Sequence, residues 1–451
     1  MKTFSIFAFD TFALYLSLYL TLLARYGLNL EEQLDIHIWP FSIIFVMWLF
    51  VFYIFNLYEI KYLKNSFDFY SRFYQGILLS GAIAVFFFYL IPFFIITPKT
   101  NLFIFIIIFS ITDFFLRYLY NHLISSATFK NDTIIVGLNQ QALELTKFIK
   151  ENPQLGYNLK YIVDISEEKA GQDLSEYGII SSSDLDRIIK EEKISTVILS
   201  PLVFKLPKLI DSFYRFLHKK INFYNFSEFY EITTGKIPLG AIDQAWFLEN
   251  ITRGNKKLYE ISKRIVDIFF SLLLGIFFLG LLPFISLLIK FNSKGPIFYR
   301  QKRVGQYGKE FIMYKFRTMA NEAEKESGAV WAQKDDKRIT GIGRLMRKTR
   351  LDELPQVWNI LKGHMSFVGP RAERPELDEK LKKEIPFYQI RHIVKPGITG
   401  WAQVNFPYGN STQDALEKLQ YDLYYIKNRS LILDLKILLK TINVISKGGT
   451  Q

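Results

Sequence analysis

Cysteine is absent from all 451 residues, which excludes disulfides, thiolate nucleophiles and cysteine-bound metals. Histidine is scarce. His37, His122, His218, His364 and His392 stand far apart with no HExxH-type pair, so the spacing offers no zinc site. No G-x-G-x-x-G occurs, and no nucleic-acid-binding module is visible. Acidic residues are outnumbered, 43 against 56 Lys and Arg, leaving a net charge of +13; that balance suits an anionic membrane surface or phosphate-bearing substrates. What the chain has in quantity is apolar. Half of it is hydrophobic, 17% is aromatic and the mean hydropathy is +0.12, ordinary values for a membrane protein. The length allows two or three domains.

Four apolar runs, roughly 4–24, 40–58, 73–96 and 102–120, each approach the ~20 residues a helix needs to span hydrocarbon. The first does not read as a signal peptide, because Asp10 interrupts it and no small-residue cleavage site follows. Glu31, Glu32 and Asp35 follow the first run, Lys61, Lys64 and Arg72 follow the second, and the connection ITPKTN is short. The positive-inside rule then places the second loop and both ends of the bundle in the cytoplasm. Asp113 and Arg117, one helical turn apart, are expected to neutralise each other near the membrane boundary.

A fifth run, 265–289, differs from the others. Lys256, Lys257, Lys263 and Arg264 precede it, Lys290, Lys294, Arg300, Lys302 and Arg303 follow it, and Pro283 lies inside it. Charge on both flanks and a helix-bending proline fit a segment that enters one leaflet and returns; an ordinary kinked span is the alternative.

Between these membrane segments, residues 131–235 read as an α/β domain. TIIVG (133–137), YIVDI (161–165), TVILS (196–200) and INFYNF (221–226) are strand-like, with helical stretches around 183–192 and 203–219; the alternation implies a parallel sheet. The first turn, GLNQQA, keeps only Gly137 of a dinucleotide fingerprint, although Asp164 stands where a ribose-binding acid would. A structural or regulatory role is the better expectation than a bound NAD.

From 290 to 350 there are sixteen Lys and Arg against six Asp and Glu. GIGRLMRKTRL sets Ile342, Leu345 and Met346 in a basic helix of the kind that lies among headgroups. This collar runs directly into Asp352 and Glu353. Leu354, Val357, Trp358 and Leu361 then recur at i, i+3, i+4 and i+7, the pattern of an amphipathic helix with Pro355 in its first turn. Acids at a helix start are ordinary capping, yet two adjacent carboxylates also suit Mg²⁺, which takes one or two carboxylates plus substrate phosphates. Gly369–Pro370–Arg371 offers a tight turn presenting a guanidinium fork to a phosphate.

The stretches SKRIVDI, GPIFYRQKRVG, YKFRTM, RITGIGRLMRKTRLDELPQVWNILKG, MSFVGPR, VKPGITGWAQV and YDLYYIKNRS resemble the bacterial sugar transferase family, the monotopic phosphoglycosyl transferases, over nearly 190 residues. The four spans and the Rossmann-like middle domain match the large form of that family. The resemblance implies a four-span bundle over 1–127, a Rossmann-like α/β domain over 131–235, and a mainly helical catalytic domain over 258–451 with a re-entrant membrane helix at 265–289. It implies Asp352 as nucleophile and Glu353 as its partner in an Mg²⁺-binding dyad, Arg347 as a phosphate contact, and Pro283 as the break in the re-entrant helix. It further implies Arg317, Arg371 and Asp422 as residues lining the site. Two stretches depart from the family pattern, FPYGN (406–410) after the WAQV motif and the ending KGGTQ.

The implied activity moves a hexose-1-phosphate from a UDP-hexose of the glucose or galactose type to undecaprenyl phosphate, releasing UMP and starting a polysaccharide. The expected setting is the bacterial inner membrane, among its lipids, as a homodimer with the catalytic domain in the cytoplasm and no nucleic-acid partner. A membrane-anchored nucleotide-sugar dehydratase is a rival, since Tyr259 and Lys263 have Tyr-x-x-x-Lys spacing, but it lacks the glycine fingerprint. A non-catalytic membrane scaffold or nucleotide sensor is another.

Overall fold

The computed structural model describes residues 2–27, 30–90, 99–126, 130–165, 178–251, 256–319, 338–406, 409 and 411–446. Most of FPYGN, all of KGGTQ and the end of the third apolar run therefore lie outside the described residues. The chain divides into two compact units, residues 1–229 and 230–451.

The first unit opens with four long helices: α1 (Lys2–Tyr26), α2 (Glu31–Ile54), α3 (Phe67–Leu90) and α4 (Lys99–Ser125). Each is long and apolar enough to cross a membrane. Their core is aromatic. Phe41, Phe45, Trp48 and Phe52 follow one face of α2 at helical spacing and meet Phe105 and Phe109 of α4, with Trp48 edge-on to Phe109 at 5.3 Å. The second helix starts earlier than its apolar run. Glu31 and Glu32 form its first turn rather than a loop, where acidic side chains complement the helix dipole. The Asp113–Arg117 pair forms, 2.9 Å from Arg117 Nε, and gains a partner not read from the sequence. Asp10 of α1 also binds the Arg117 guanidinium, which donates in addition to Leu57 O at 3.2 Å.

In the same unit five parallel strands form a sheet in the order β3–β2–β1–β4–β5. They are β1 (Asn131–Val136), β2 (Tyr157–Asp164), β3 (Ile179–Ser181), β4 (Thr196–Leu199) and β5 (Asn222–Asn225), connected in part by α5 (Gln140–Glu151), α6 (Leu185–Glu191) and α7 (Pro207–Arg215). The three-residue edge strand β3 was not legible in the sequence. Gly137, at φ 110°, is required by close packing: a Cβ there would sit 2.5 Å from that of Ser200. Asn139 accepts from Ala142 N to cap α5. Gln154 donates to Lys61 O at 2.8 Å, tying the sheet region to the loop after α2.

Helix α8 (Phe226–Thr234) leads into the second unit, followed by α9 (Gln244–Ile251) and the 36-residue α10 (Lys257–Asn292). A hairpin of β6 (Phe298–Val304) and β7 (Glu310–Phe316) comes next. Then come α11 (Gly341–Thr349), α12 (Val357–Leu361), β8 (Ser366–Val368), α13 (Pro375–Glu384), β9 (Gly397–Thr399), α14 (Trp401–Asn405), α15 (Thr412–Asn428) and α16 (Leu431–Ser446). The helix α10 runs unbroken through Pro283 and is also long and apolar enough to cross a membrane. Ile237, Leu239, Phe247 and Ile251 share the main core of this unit with Trp401, Leu419, Leu423 and Tyr425. Residues 235–251 thus pack with the part that follows, although the family resemblance starts only at 258.

Candidate active site

The dyad sits on a bend. Arg350 ends α11 with φ 59°, in the left-handed region where a side chain costs about 1–2 kcal/mol. The chain then makes a 3₁₀ turn, Leu351–Gln356, before α12 begins. Asp352 and Glu353 are both buried within that turn, each 6% exposed. The amphipathic helix expected over 354–361 is corrected on two points. Regular α-helix covers only Val357–Leu361, and Trp358 points outward, 54% exposed, with Lys362 over its ring at 5.2 Å. Asn359 is fully buried along with Ile360, and its side chain donates to Ile312 O at 2.6 Å and accepts from Tyr314 N at 3.1 Å. A polar clamp to β7 thus joins the apolar contact that buried Ile360 makes with Phe311 and Met313.

That clamp holds the neighbouring residue of β7, Lys315, against the dyad. Lys315 Nζ donates to Glu353 Oε1 at 2.8 Å, Arg371 Nη2 reaches the same oxygen at 3.3 Å, and Arg350 stands 3.7 Å from it. Burial alone would raise the Glu353 carboxyl, but Lys315, Arg371 and Arg350 together hold it well below the usual carboxylate range. Burial pulls the Lys315 ammonium down, and Glu353 pulls it back. Asp352 differs. Burial pushes its carboxyl up, the Glu353 charge adds to that, and Lys315, Arg350 and Arg347 pull against it. Its Oδ1 is buried and, among the described residues, has no hydrogen-bond partner.

The other residues singled out from the sequence divide into two groups. Arg347 lies close enough to lower Asp352 electrostatically and donates from Nε to Thr318 Oγ1 at 2.9 Å. Its helix can approach there because residue 343 is glycine, where a Cβ would lie 2.1 Å from Thr318 O. Arg371 meets Glu353. In contrast, Arg317 donates to Ser293 O at 2.7 Å and Lys294 O at 3.0 Å, so it fastens the chain leaving α10 rather than facing the dyad. Asp422 pairs with Arg391 at 2.9 Å, and Arg391 donates to Arg371 O at 3.0 Å. Asp422 therefore acts through Arg391 on the turn that carries Arg371. Sequence reading missed Lys315 and Arg391. Lys315 was one lysine among sixteen bases, and only its place in YKFRTM marked it.

Among the described residues no group of three or more His, Asp or Glu stands ready to hold a metal unaided. Two adjacent carboxylates, one with an unpartnered buried oxygen, do fit a hard cation whose remaining ligands are substrate phosphates. Tyr259 and Lys263, the dehydratase-like pair, both bind Asp434 of α16, at 3.0 and 2.6 Å, and so anchor the start of α10.

The model of the family described as bacterial sugar transferase matches residues 258–448. The UDP-glucose:undecaprenyl-phosphate glucose-1-phosphate transferase of Xanthomonas campestris pv. campestris is 30% identical over 345 residues, covering 72% of this chain and 69% of that protein. The UDP-N-acetylgalactosamine-undecaprenyl-phosphate N-acetylgalactosaminephosphotransferase of Aeromonas hydrophila is 45% identical over 191 residues, covering 42% of this chain and 45% of that protein. The UDP-glucose:undecaprenyl-phosphate glucose-1-phosphate transferase of Escherichia coli (strain K12) is 41% identical over 187 residues, covering 41% of this chain and 40% of that protein. The match thus spans less than half the length of the last two relatives.

Proposed function

The chain belongs to the bacterial sugar transferase family, and from that premise we propose that it transfers hexose-1-phosphate from a UDP-hexose to undecaprenyl phosphate, the first step of a surface polysaccharide. The observation that carries the reading is the asymmetry of the dyad. Glu353 Oε1 takes both Lys315 and Arg371, while among the described residues Asp352 keeps a buried oxygen without a hydrogen-bond partner.

Asp352 attacks the β-phosphorus of the donor. A bond forms from its carboxylate oxygen to phosphorus, the bond from that phosphorus to the bridging oxygen breaks, and UMP departs with the electron pair. A phosphate oxygen of undecaprenyl phosphate then attacks the same phosphorus and releases the carboxylate, leaving hexose diphosphate on the lipid. A carboxylate nucleophile divides one displacement into two. Arg371 and Arg347 are placed to bind the donor's phosphates, and Lys315 holds Glu353 ionised beside the nucleophile. Asp352 and Glu353 would hold Mg²⁺, which when bound neutralises charge on the phosphoryl oxygens.

We read α10 as dipping into one leaflet of the inner membrane, with the dyad on the cytoplasmic side. Support comes from both ends of the helix. Near its start Arg264 donates to Ile360 O and Leu361 O, and Asp267 accepts from Ser366; near its end Ile285 and Ile289 pack on Phe316 and Met346. Both ends thus rest on one folded unit, and Pro283 inside the helix is where such a segment would bend. Leu345, exposed among the basic residues of α11, and Trp358, exposed beneath Lys362, suit a headgroup layer. The parallel order β3–β2–β1–β4–β5 supports a Rossmann-like middle domain.

The test is a single incubation of the full chain with Mg²⁺ and donor labelled in the sugar, UDP-glucose and UDP-N-acetylgalactosamine in turn, without lipid acceptor. The covalent route gives up to one equivalent of UMP and a labelled, hydroxylamine-sensitive peptide containing Asp352. Turnover on adding acceptor, with no labelled peptide and sequential rather than ping-pong kinetics, would sink the covalent step but not the transfer.

A further inference from the structure

An arginine occupies a backbone position that favours glycine. Arg350 ends α11 at φ 59° and ψ 14°, a strained conformation for any L side chain and one that glycine adopts freely. The turn itself does not use the side chain. Its backbone supplies the hydrogen bonds, with Arg350 N donating to Arg347 O at 3.2 Å and Glu353 N donating to Arg350 O at 3.1 Å.

The other cations around the dyad are committed. Lys315 and Arg371 donate to Glu353, and Arg347 donates to Thr318 Oγ1. Among the described residues the Arg350 guanidinium makes no hydrogen bond, and its Nη1 stands 3.7 Å from Glu353 Oε1. It therefore keeps five N–H donors on a side chain 33% exposed, at the rim of two buried carboxylates. Its charge also lowers the Asp352 carboxyl, more than that of Arg347 does.

Of two anionic substrates, the surroundings of Arg350 favour the lipid. Its helix rests on α10: Met346 packs with Ile285 and Ile289, and Leu354 of the dyad turn joins the same cluster. Arg344, Leu345 and Lys348 of α11 are exposed, cationic and apolar together as a headgroup layer requires. A lipid whose tail follows α10 meets the end of α11 with its phosphate foremost. Arg371 lies instead on a turn held from α15, through Arg391 and Asp422. In the transfer, a phosphate monoester carrying a charge of about −1.5 to −2 must approach the donor's own phosphoryl group, anion against anion. An uncommitted guanidinium at that point offsets the repulsion, and its planar fork matches phosphate oxygens.

We propose that Arg350 binds the phosphate of the lipid acceptor at the rim of the dyad. This contact presupposes the proposed transfer and adds the acceptor's side of it.

The full chain in detergent micelles is assayed on its pH plateau, with undecaprenyl phosphate varied and then the donor varied. The donor is whichever of UDP-glucose and UDP-N-acetylgalactosamine wild type uses. Arg350→Gln should lower kcat/KM for undecaprenyl phosphate roughly tenfold, equivalent to about 1.4 kcal/mol, and should change kcat/KM for the donor less than twofold. Arg350→Gly removes the side chain and the strain together, so it should lose acceptor efficiency equally while melting no lower than wild type. Arg344→Gln, the loss of an exposed base on the same helix, should match wild type on both substrates. Unchanged acceptor efficiency in the Arg350 variants overturns the proposal. A donor loss as large as the acceptor loss also overturns it, as a donor contact if Arg350→Gly melts like wild type and as a part of the fold if it melts lower. An equal acceptor loss in Arg344→Gln marks a general attraction of the headgroup layer and rejects the assignment. Wild type that transfers neither sugar sinks the transfer reading and this contact with it, whereas the other outcomes sink the contact alone.

Discussion

Two buried charge clusters, one in the helical bundle and one in the second unit, are built on opposite balances. In the bundle one guanidinium, Arg117, serves two carboxylates, Asp10 and Asp113. Around the dyad, Lys315, Arg347, Arg350 and Arg371 surround Asp352 and Glu353. The first cluster has two acids for one cation and lies among packed helices, where it fixes which helices meet. The second carries excess positive charge, which suits an incoming anion; among the described residues an unpartnered carboxylate oxygen is common to both, Asp352 Oδ1 there and Asp10 Oδ1 and Asp113 Oδ1 in the bundle. Burial accompanies both clusters. The sign of the remainder is what separates a structural lock from a reaction site.

The strongest way to break that comparison is Asp352→Asn. A side chain that only caps a turn loses at most about 1 kcal/mol, because asparagine caps too. A nucleophile loses roughly a thousandfold in turnover, about 4 kcal/mol of barrier, and that is the result expected, with thermal stability unchanged. Radiolabelled lipid product and a melting curve on the same preparation check both halves.

Glu353→Gln should cost about 3–5 kcal/mol of stability, since it strands Lys315 beside Arg371 in a buried site. In the bundle Asp113→Asn should cost only about 1 kcal/mol, because Arg117 keeps Asp10 and a neutral acceptor. Equal losses in detergent unfolding would erase the distinction between the clusters. Arg371→Lys keeps the charge but not the fork, and should raise the KM for UDP-hexose about tenfold. Arg317→Gln, which touches only the exit of α10, should change that KM less than twofold.

A smaller effect sharpens the electrostatics. The proposed attack needs Asp352 ionised, and its carboxyl is raised by burial, so turnover should fall as the pH drops through that raised value, sooner than an ordinary carboxylate would give. Arg350 pulls the same carboxyl down. In Arg350→Gln the acid limb should therefore move to higher pH, and an unmoved limb in a pH–rate profile would show that another group titrates. Glu353 acts with the opposite sign. Its lowered carboxyl contributes stability above the ordinary glutamate range, and that contribution disappears only as the pH falls through the lowered value.

Much of this was legible before any coordinates. The parallel strands at 133–137, 161–165, 196–200 and 221–226 emerge as β1, β2, β4 and β5 within a few residues, because short β-branched and aromatic runs between helical stretches leave little choice. Asp352 and Glu353 were marked by an acidic pair in a basic neighbourhood. What sequence could not show was compensation at a distance. The amphipathic pattern after the dyad was misread because a left-handed Arg350 forces a 3₁₀ turn, shifting the helix phase so that Trp358 faces out and Asn359 in. Arg317 sits in the same hexapeptide as Lys315, yet they serve different ends, one on the exit of α10 and one on Glu353. Nothing in the letters YKFRTM distinguishes them. Asp10 could not be paired with Arg117 from a separation of over a hundred positions.

The stretch before α10 carries a consequence for grafting. The family's shared sequence starts at 258, but the folding unit starts at 230. Trp401 donates its indole N–H to Gly235 O at 2.9 Å, Ile237 N donates to Gln420 O, Glu231 takes Lys427 at 2.5 Å, and Phe247 lies against Phe387 at 4.7 Å. A chimera joined at 258 would set a foreign leader against these partners and open the core around Trp401, while one joined before 230 carries the lining with it. Inheritance and packing place their seams at different residues, and an exchange of modules between relatives should follow the packing.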